Sequence, residues 1–379
     1  MKKFLIILIW FFSLIIAIIF AYENPEKLDI VKYYFKSHLP SKIKFEQGPS
    51  QRSIGNSFAV EFSKEVSFSE KTAFVVHDEN ISNFDKNSLK IYFQNGYLLK
   101  SGEVKKLNLP STFTRAKNGG IKTVLIYKDI ELALISSQKN KCFYASIVHL
   151  ENANELFKTK CVSSKKLDYN GLGSSNIHYN EKIFFSMGTP EQTSSKIAKL
   201  AQDNKSMYGK ILAVNKNDLD KLVDDKEIKL NINIFTTGHR NPQGLTKIND
   251  SIFSVEHGPK GGDELNKIIK EKNYGWPIAS YGTKYGYDEE EKTYEINHES
   301  NNFEEPLFAL VPSIGISALN TCPSKLKEYY KKPCLLALSL YGNSLRPGKS
   351  IIIYLLNEKM DKVQSIEIIY LRDDLKLRH

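Results

Sequence analysis

Residues 236–245 read TTGHRNPQGL, residues 256–266 read EHGPKGGDELN and residues 273–277 read NYGWP. Glycine and proline in these blocks favour tight turns. A short apolar run, residues 252–255, lies between the first two blocks and is typical of a strand. The segment therefore predicts two polar turns at the two ends of one short strand.

The first of these turns carries Arg240, Asn241 and Gln243, whose planar groups hold several donors in fixed directions. Such donors suit a flat ligand that bears carboxylates and carbonyls. In the second turn, Gly258 and Pro259 can expose backbone carbonyls, which are ligands for hard cations. Each residue alone could equally be a solvated loop residue, but three ordered blocks in one short segment favour a binding site.

Short runs rich in Ile, Tyr, Phe and Val recur from Ser53 onward, separated by Asn, Gly, Lys and Ser. This pattern predicts an all-β chain in which few segments show helical periodicity, among them 218–223 and 324–330. Many short strands without long helices indicate a sandwich, a barrel or a propeller. No internal repeat decides among these architectures.

The chain has 379 residues, which is enough to bury a large core, and its 41% hydrophobic content is ordinary for a globular protein. Its formal net charge is +10. The basic residues are mostly lysines scattered through polar loops, with no arginine-rich stripe. This distribution does not favour nucleic-acid binding.

The N-terminus begins with Lys2 and Lys3, followed by an apolar run over 4–22. A charged start, an apolar stretch and small Ala21 predict a signal peptide over 1–21. The apolar run is close to membrane-spanning length, so an uncleaved N-terminal anchor is the alternative. The first interpretation predicts a periplasmic or secreted protein, and the second predicts a protein held at the inner membrane and facing the periplasm.

Four cysteines remain in the part of the chain that follows: Cys142, Cys161, Cys322 and Cys334. Four cysteines allow three pairings, and disulfides are the default outside the cytoplasm. A hairpin centred on Glu151 and Asn152 would place Cys142 opposite Cys161. We therefore predict the local pairs Cys142–Cys161 and Cys322–Cys334, with four free buried thiols as the alternative.

The blocks at 239–245, 256–266 and 273–277 resemble the soluble quinoprotein glucose/sorbosone (aldose sugar) dehydrogenase family, with a weaker resemblance from about Leu167 to Arg378. The resemblance implies a six-bladed β-propeller over 53–379, with motifs clear from about residue 167, after an N-terminal extension over 22–52. Because the chain ends where sequences of the family continue for at least another strand, we expect a last blade that is short or closed by an N-terminal strand.

The resemblance also implies chemistry: pyrroloquinoline quinone (PQQ) and calcium bind on the top of the propeller. The protein would oxidise a small sugar by hydride transfer to the quinone and pass the electrons to a periplasmic acceptor. Arg240 would neutralise developing charge, Asn241 and Gln243 would bind the cofactor, and Gly258 and Pro259 would offer carbonyls to calcium.

Other family positions have changed. The family's catalytic histidine falls at Asn170, which cannot accept a proton at a useful pH. A family lysine that binds the cofactor falls at Tyr341, and the closing pair of arginines falls at Lys376 and Arg378. His178 lies near Asn170 in sequence, but its flanking residues do not match, so we expect an ordinary strand histidine.

The expected function is therefore a PQQ-dependent sugar dehydrogenase. The alternative is a non-catalytic propeller that binds carbohydrate or protein at the same face, because Asn170 and Tyr341 replace functional residues. A third hypothesis is a structural module tethered to the membrane by its N-terminus. Asp263 and Glu264 are expected to brace loops, and Trp276 is expected to pack in the core.

Overall fold

The structure is a computed structural model, which describes residues 71–76, 89–164, 166–191, 196–284, 294–340 and 349–371, together with the backbone of four short strands before residue 71. Three predicted features lie outside the described residues: the signal or anchor segment over 1–21, Tyr341, and the basic pair Lys376 and Arg378. Within the described ranges, no helix has both the length and the apolar character needed to cross a membrane.

The chain begins, in its described part, with two small strand pairs. β1 (Ile43–Phe45) pairs with β4 (Val66–Phe68), and β2 (Gln51–Ile54) pairs with β3 (Ala59–Phe62), both antiparallel. Neither pair extends into a larger sheet.

Five four-stranded sheets follow along the chain. The first contains β5 (Thr72–Val76), β6 (Lys90–Phe93), β7 (Tyr97–Lys100) and β8 (Glu103–Lys106). The second contains β9 (Ile121–Tyr127), β10 (Ile130–Lys139), β11 (Cys142–His149) and β12 (Glu155–Lys158). The third contains β13 (Asn176–Tyr179), β14 (Lys182–Met187), β15 (Lys210–Asn215) and β16 (Ile232–Thr237).

The fourth sheet contains β17 (Pro242–Ile248), β18 (Ser251–Glu256), β19 (Asp263–Ile268) and β20 (Phe308–Leu310). The fifth contains β21 (Ile316–Thr321), β22 (Cys334–Ser339), β23 (Ser350–Leu356) and β24 (Val363–Tyr370). Two short helices, α1 (Lys216–Asp224) and α2 (Ser324–Tyr330), confirm the two segments with helical periodicity.

The sheets are antiparallel meanders arranged as the blades of a propeller. In each sheet, strands consecutive in sequence are hydrogen-bonded neighbours. The first strands of successive sheets contact one another, β5 with β9, β9 with β13, β13 with β17 and β17 with β21. The first strands therefore form the inner surface, and the N-terminal ends of these strands lie where a central site can form.

Apolar side chains fill the space between successive sheets, because each strand alternates its side chains between two faces that are both covered. Each fully buried Leu, Ile or Phe contributes about 1.5–3 kcal/mol. Each of four apolar clusters joins two successive sheets, and examples of members from the two sheets are Tyr92 and Val124, Leu134 and Leu212, Phe184 and Leu245, and Val255 and Leu335.

The all-β propeller prediction is confirmed, but the prediction of six blades is wrong: the structure has five four-stranded sheets. The prediction assumed nearly equal shares of the chain. Instead, the connections have unequal lengths, and a long one runs between β19, which ends at Ile268, and β20, which starts at Phe308. The last sheet is not short, because β24 completes its four strands.

Both predicted disulfides are confirmed, Cys142–Cys161 and Cys322–Cys334. The β11–β12 hairpin is also confirmed, but a register shift between Ile147 and Val148 moves the cysteines off direct opposition. Phe143, rather than Cys142, is the residue bridged to this segment, and its partner is Val162.

Candidate functional site

A cavity of about 290 Å³ lies where the first strands of the five sheets begin. Each sheet contributes to its wall: Thr72 in β5, Lys122 in β9, Ser174 just before β13, Gln243 in β17 and Ser317 in β21. The cavity is therefore a product of the whole ring of sheets, and no single sheet contains it. Its volume is near the lower limit of small-molecule sites.

Arg240 is held rigidly at this cavity. Its side chain is buried, and its Nη1 donates to the backbone carbonyl of His257 at 2.9 Å and to that of Gly258 at 2.6 Å. The guanidinium also lies 5.2 Å from the centre of the Trp276 ring, a cation–π contact. Because a planar guanidinium fixes the direction of all its donors, these contacts set the orientation of the positive charge.

The two amides beside Arg240 orient each other. Gln243 Nε2 donates to Asn241 Oδ1 at 2.8 Å, and Asn241 Nδ2 lies 3.4 Å from His257 Nδ1. Gly173 has φ +59°, and a Cβ there would lie 2.1 Å from the Pro242 carbonyl oxygen. Only glycine therefore lets the loop before β13 approach the start of β17 this closely.

A buried polar network supports the Arg240 loop from behind. Glu256 accepts from the backbone N–H of Arg240 at 2.8 Å and from Asn266 Nδ2 at 2.9 Å, and its Oε1 lies 3.0 Å from His239 Nδ1. Burial alone would raise the pKa of Glu256, but His239 and the backbone N–H donors hold that pKa below its ordinary value. Burial and the negative charge of Glu256 raise the pKa of Glu264 well above its ordinary value.

Asp263 braces the loops at the cavity, which confirms the role expected for it. One carboxylate oxygen accepts from Ser313 Oγ at 2.8 Å and from the backbone N–H of Gly258 at 3.1 Å. The other accepts from the backbone N–H groups of residues 314, 315 and 316 at 3.1, 2.8 and 3.1 Å. Trp276 is 3% exposed and packs against Tyr294, which confirms its expected core position.

The structure brings six of the predicted site residues to one cavity: Asn170, Arg240, Asn241, Gln243, Gly258 and Pro259. Asn170 lies in a single turn of 3₁₀ helix, and its backbone N–H donates to Asp168 Oδ1 at 2.9 Å. His178 lies on β13 and is not among the residues that line the cavity.

Sequence reasoning missed more than half of the cavity residues, and those with charged, amide or imidazole side chains are Lys71, Gln94, Lys122 and His257. The first three come from the part of the chain where no motif was found. A signal for Lys122 was present, because it is the one charged residue in the otherwise apolar or hydroxyl-bearing run of β9, IKTVLIY. His257 lies inside the EHGP block, next to the predicted carbonyl ligands Gly258 and Pro259, and its imidazole was a signal for a proton acceptor.

Gly258 and Pro259, the two predicted calcium ligands, both line the cavity. The Gly258 carbonyl already accepts from Arg240 Nη1 at 2.6 Å, and a metal ion there would face a positive guanidinium. Within the described ranges, no group of three or more His, Cys, Asp or Glu side chains could hold a metal ion. Calcium therefore stays a prediction, and no chemical step is assigned to it.

Comparison with known proteins shows related sequences. Residues 134–348 match the family model described as Glucose / Sorbosone dehydrogenase. Aldose sugar dehydrogenase YliI from Escherichia coli K12 is 34% identical over 144 residues, covering 36% of this chain and 36% of that protein. Quinoprotein glucose dehydrogenase B from Acinetobacter calcoaceticus is 32% identical over 146 residues, covering 31% of this chain and 30% of that protein.

These alignments span only about a third of the length of either relative. Among solved structures, the PQQ-bound form of aldose sugar dehydrogenase from Streptomyces coelicolor has a TM-score of 0.53 and 16% identity. The likeness covers 89% of this chain and 88% of that one, and at this identity it shows a shared fold alone.

Proposed function

The chain belongs to the glucose/sorbosone dehydrogenase family, and from that premise we propose that it is a sugar dehydrogenase that oxidises a sugar hydroxyl with PQQ as its cofactor. The observation that carries the proposal is the cavity, where Arg240, Asn241 and Gln243 from one loop share a wall with residues from every sheet. A relative named a quinoprotein and a PQQ-bound solved structure support the choice of cofactor.

The charge of the cavity fits a polyanionic cofactor. Lys71, Lys122 and Arg240 line it, whereas its carboxylate, Asp263, is engaged by five donors. PQQ is a flat tricarboxylic quinone, and such a guest is attracted by cations and planar donors. When bound, it would supply the electron acceptor for the hydride.

The hydroxyl oxygens of two cavity residues also fit a polar guest. Thr72 Oγ1 and Ser174 Oγ are buried and have no hydrogen-bond partner in the described part of the chain. A buried hydroxyl without a partner is costly, so a ligand that reaches these two groups would gain free energy by satisfying them.

Residues of the protein would bind and orient the sugar and the cofactor, and one residue would accept a proton from the sugar hydroxyl. The Arg240 guanidinium would stabilise negative charge on a sugar oxygen, and Asn241 and Gln243 would orient the guest. Asn170 cannot take the proton of the hydroxyl. Among the described residues lining the cavity, His257 carries the imidazole, and we assign the proton acceptor to it.

The N-terminal sequence supports a location outside the cytoplasm, and that location would decide which electron acceptor is available. The apolar run over 4–22 supports export, either as a free protein or as one anchored at the inner membrane. The cofactor would then be reoxidised by a periplasmic acceptor. Comparing the N-terminus of the purified protein with its encoded start tests cleavage, because a mature chain that starts at Tyr22 excludes the anchor.

The test of the proposal is reconstitution. Purified protein would be titrated with PQQ, with and without calcium, and binding followed by the cofactor's absorbance. We expect binding, and then reduction of an artificial dye that depends on sugar and is lost in His257→Ala. Absence of any PQQ binding by the folded protein would overturn the proposal.

A second candidate function is a non-catalytic propeller that binds carbohydrate or protein in the same cavity. The observation in its favour is Asn170, which lines the cavity at the position of the family's base. Sugar binding by calorimetry without any dye reduction would support this candidate. Sugar-dependent dye reduction by the wild type that disappears in Arg240→Ala would exclude it.

A further inference from the structure

Lys210 is the first residue of β15, and its side chain is fully buried. Lysine is almost never fully buried unless its charge is compensated. Here the Nζ atom donates to the backbone carbonyls of Leu200 at 3.1 Å, Ala201 at 2.6 Å and Tyr208 at 3.0 Å. An ammonium has three N–H donors, so the three carbonyls match its donors one to one. Lys210 is therefore held in one position, although the proposed mechanism gives it no role.

The three carbonyls belong to one folded-back stretch of chain, the 200–208 segment. It overlaps the end of the 3₁₀ turn Ala198–Gln202 and returns to β15 through Gly209. Gly209 has φ +69°, and a Cβ there would lie 2.3 Å from the Ala201 Cβ and 2.7 Å from the His239 carbonyl oxygen. Only glycine permits this approach. The ammonium joins the two ends of the segment through their carbonyls, as a bound hard cation would.

The 200–208 segment supports the backbone of the Arg240 loop. The Ala201 carbonyl, which accepts from the ammonium, also accepts from the backbone N–H of Gly238 at 3.1 Å. The carbonyl of Gly209, the next residue after the segment, accepts from the backbone N–H of His239 at 3.1 Å. Gly238 and His239 directly precede Arg240 in the chain. A shift of the segment would therefore move the backbone from which the guanidinium extends.

A second link joins the same segment to the ring beside the guanidinium. Gln202 Nε2 donates to the backbone carbonyl of Trp276 at 2.6 Å, and the Gln202 and Asn273 amides donate to each other at 3.1 and 2.7 Å. The Trp276 ring makes the cation–π contact with Arg240. The backbone and the ring that orient the guanidinium are thus both bonded to the segment that Lys210 closes.

We propose that Lys210 is a positioning residue for Arg240: its ammonium closes the 200–208 segment, and the closed segment fixes the guanidinium at the cavity. The effect on loop position rests on these contacts alone, whereas the effect on PQQ binding rests on the proposed function. Burial lowers the pKa of Lys210 to about 7, although the negative charge of Asp203 opposes this shift. The ammonium therefore predominates below pH 7, and the measurements belong at pH 6.

The first experiment compares hydrogen exchange, followed by mass spectrometry, in the wild type, Lys210→Met and Lys229→Met. Methionine keeps the apolar stem and removes the ammonium. Lys229 is the matched control, because it is exposed and its Nζ also donates to a backbone carbonyl, that of Glu155. In Lys210→Met the amides of Gly238 and His239 should exchange about tenfold to hundredfold faster than in the wild type. In Lys229→Met their exchange should not change.

Peptides from β10 separate loop position from global stability, because β10 is hydrogen-bonded to strands on both sides. Exchange that rises by the same factor in β10 and in residues 237–240 would overturn the inference, and so would unchanged exchange at 237–240 in folded Lys210→Met. If the methionine variant does not fold, Lys210→Gln, which keeps two N–H donors, takes its place. It should give a smaller increase, selective for residues 237–240, and no increase there would overturn the inference.

The second experiment is a double-mutant cycle in which PQQ affinity is measured for the wild type, Lys210→Met, Arg240→Ala and the double variant. Lys210→Met should weaken PQQ binding about tenfold, because a loosened loop must be ordered on binding. With Arg240→Ala already present, Lys210→Met should have little further effect, because it acts through Arg240. An equal loss in both backgrounds would overturn the inference. A wild type that binds no PQQ would refute the proposed function, and the exchange experiment would still decide the role of Lys210 in loop position.

Discussion

Arg240 and the residues that hold it show how a loop motif becomes a rigid site. The motif predicted that the Arg240 guanidinium would donate hydrogen bonds to a ligand. In the structure, its Nη1 already donates to the His257 and Gly258 carbonyls. The same contacts engage the Gly258 carbonyl, which was predicted to bind calcium. The Arg240 side chain therefore connects the loop predicted to bind a flat anionic ligand with one of the carbonyls predicted to bind calcium.

Arg240→Lys should keep the positive charge and still weaken the site. Lysine cannot reproduce the planar fork that contacts both carbonyls and lies over Trp276. We expect about a tenfold loss of PQQ affinity and a lower midpoint of thermal unfolding, measured by absorbance titration and calorimetry. Lys247→Ala, at an exposed position of β17, is the control. Wild-type affinity in Arg240→Lys would show that charge alone matters.

Glu264 should make the protein less stable as the pH rises. Its pKa is raised in the folded state, so the folded protein holds this proton more tightly than the unfolded chain does. Its contribution to stability is therefore greatest below the usual glutamic acid pKa, about 4.3, and is lost as the pH rises toward the raised pKa.

Glu264→Gln removes this titration and keeps an oxygen that can accept from Asn266. The free energy of unfolding, measured with urea from pH 4.5 to 7.5, should fall less steeply with pH than in the wild type. Glu299→Gln, at an exposed position, is the matched control and should leave the slope unchanged. Parallel curves for Glu264→Gln and wild type would contradict the assignment.

At the scale of strands and turns, alternation of apolar and polar residues predicted the elements well. It could not predict the register shift within the β11–β12 hairpin, because a bulge depends on packing against neighbouring strands. The disulfide survives the shift, since the Cys142 and Cys161 Cα atoms still lie 5.3 Å apart.

The two disulfides should differ in their effect when removed. Loops of this size, with sequence separations of 19 and 12, stabilise a fold by about 3 kcal/mol each. Cys322 and Cys334 are buried in an apolar cluster, whereas Cys161 is exposed. Replacing Cys322 and Cys334 by serine should therefore lower the unfolding midpoint more than replacing Cys142 and Cys161, because buried hydroxyls cost free energy.

Alanine replacements of each pair are the controls for that comparison. Alanine removes the cross-link without adding a polar atom, so the difference between the two pairs should shrink. Calorimetry of the four double variants would measure it. An equal loss for both serine variants would contradict the burial argument.

At the scale of the whole molecule, the cavity depends on all five sheets, because a residue in or just before each first strand contributes to its wall. A guest in the cavity should therefore stabilise the ring as one unit. At 100 times its dissociation constant, PQQ should raise the free energy of unfolding by about 2.7 kcal/mol.

We expect this increase to appear as a shift of a single unfolding transition, followed by calorimetry with and without PQQ. Arg240→Ala, which loses the donor fork, should show a smaller shift under the same conditions. Two transitions, of which only one responds to PQQ, would show instead that the guest holds only part of the ring.

The all-β class, the two short helices, both disulfides and the Arg240 loop could be predicted from the sequence, because each depends on local pattern or on a dense motif. Asn170 could be placed by spacing alone, and the structure puts it on the same cavity as Arg240. The hydrogen-bonding capacity of Asn241 and Gln243 follows from the chemistry of their side chains, which does not depend on the fold.

The number of sheets, the cavity and the contributions of Lys71, Gln94, Lys122 and His257 required the tertiary structure. Lys122 and Arg240 are separated by more than a hundred residues, and no local pattern records that β9 and β17 begin at the same end of one ring. Residue types and turn propensities act over a few positions along the chain. The site is made by contacts between sheets, and these depend on how connections of unequal length let the sheets pack.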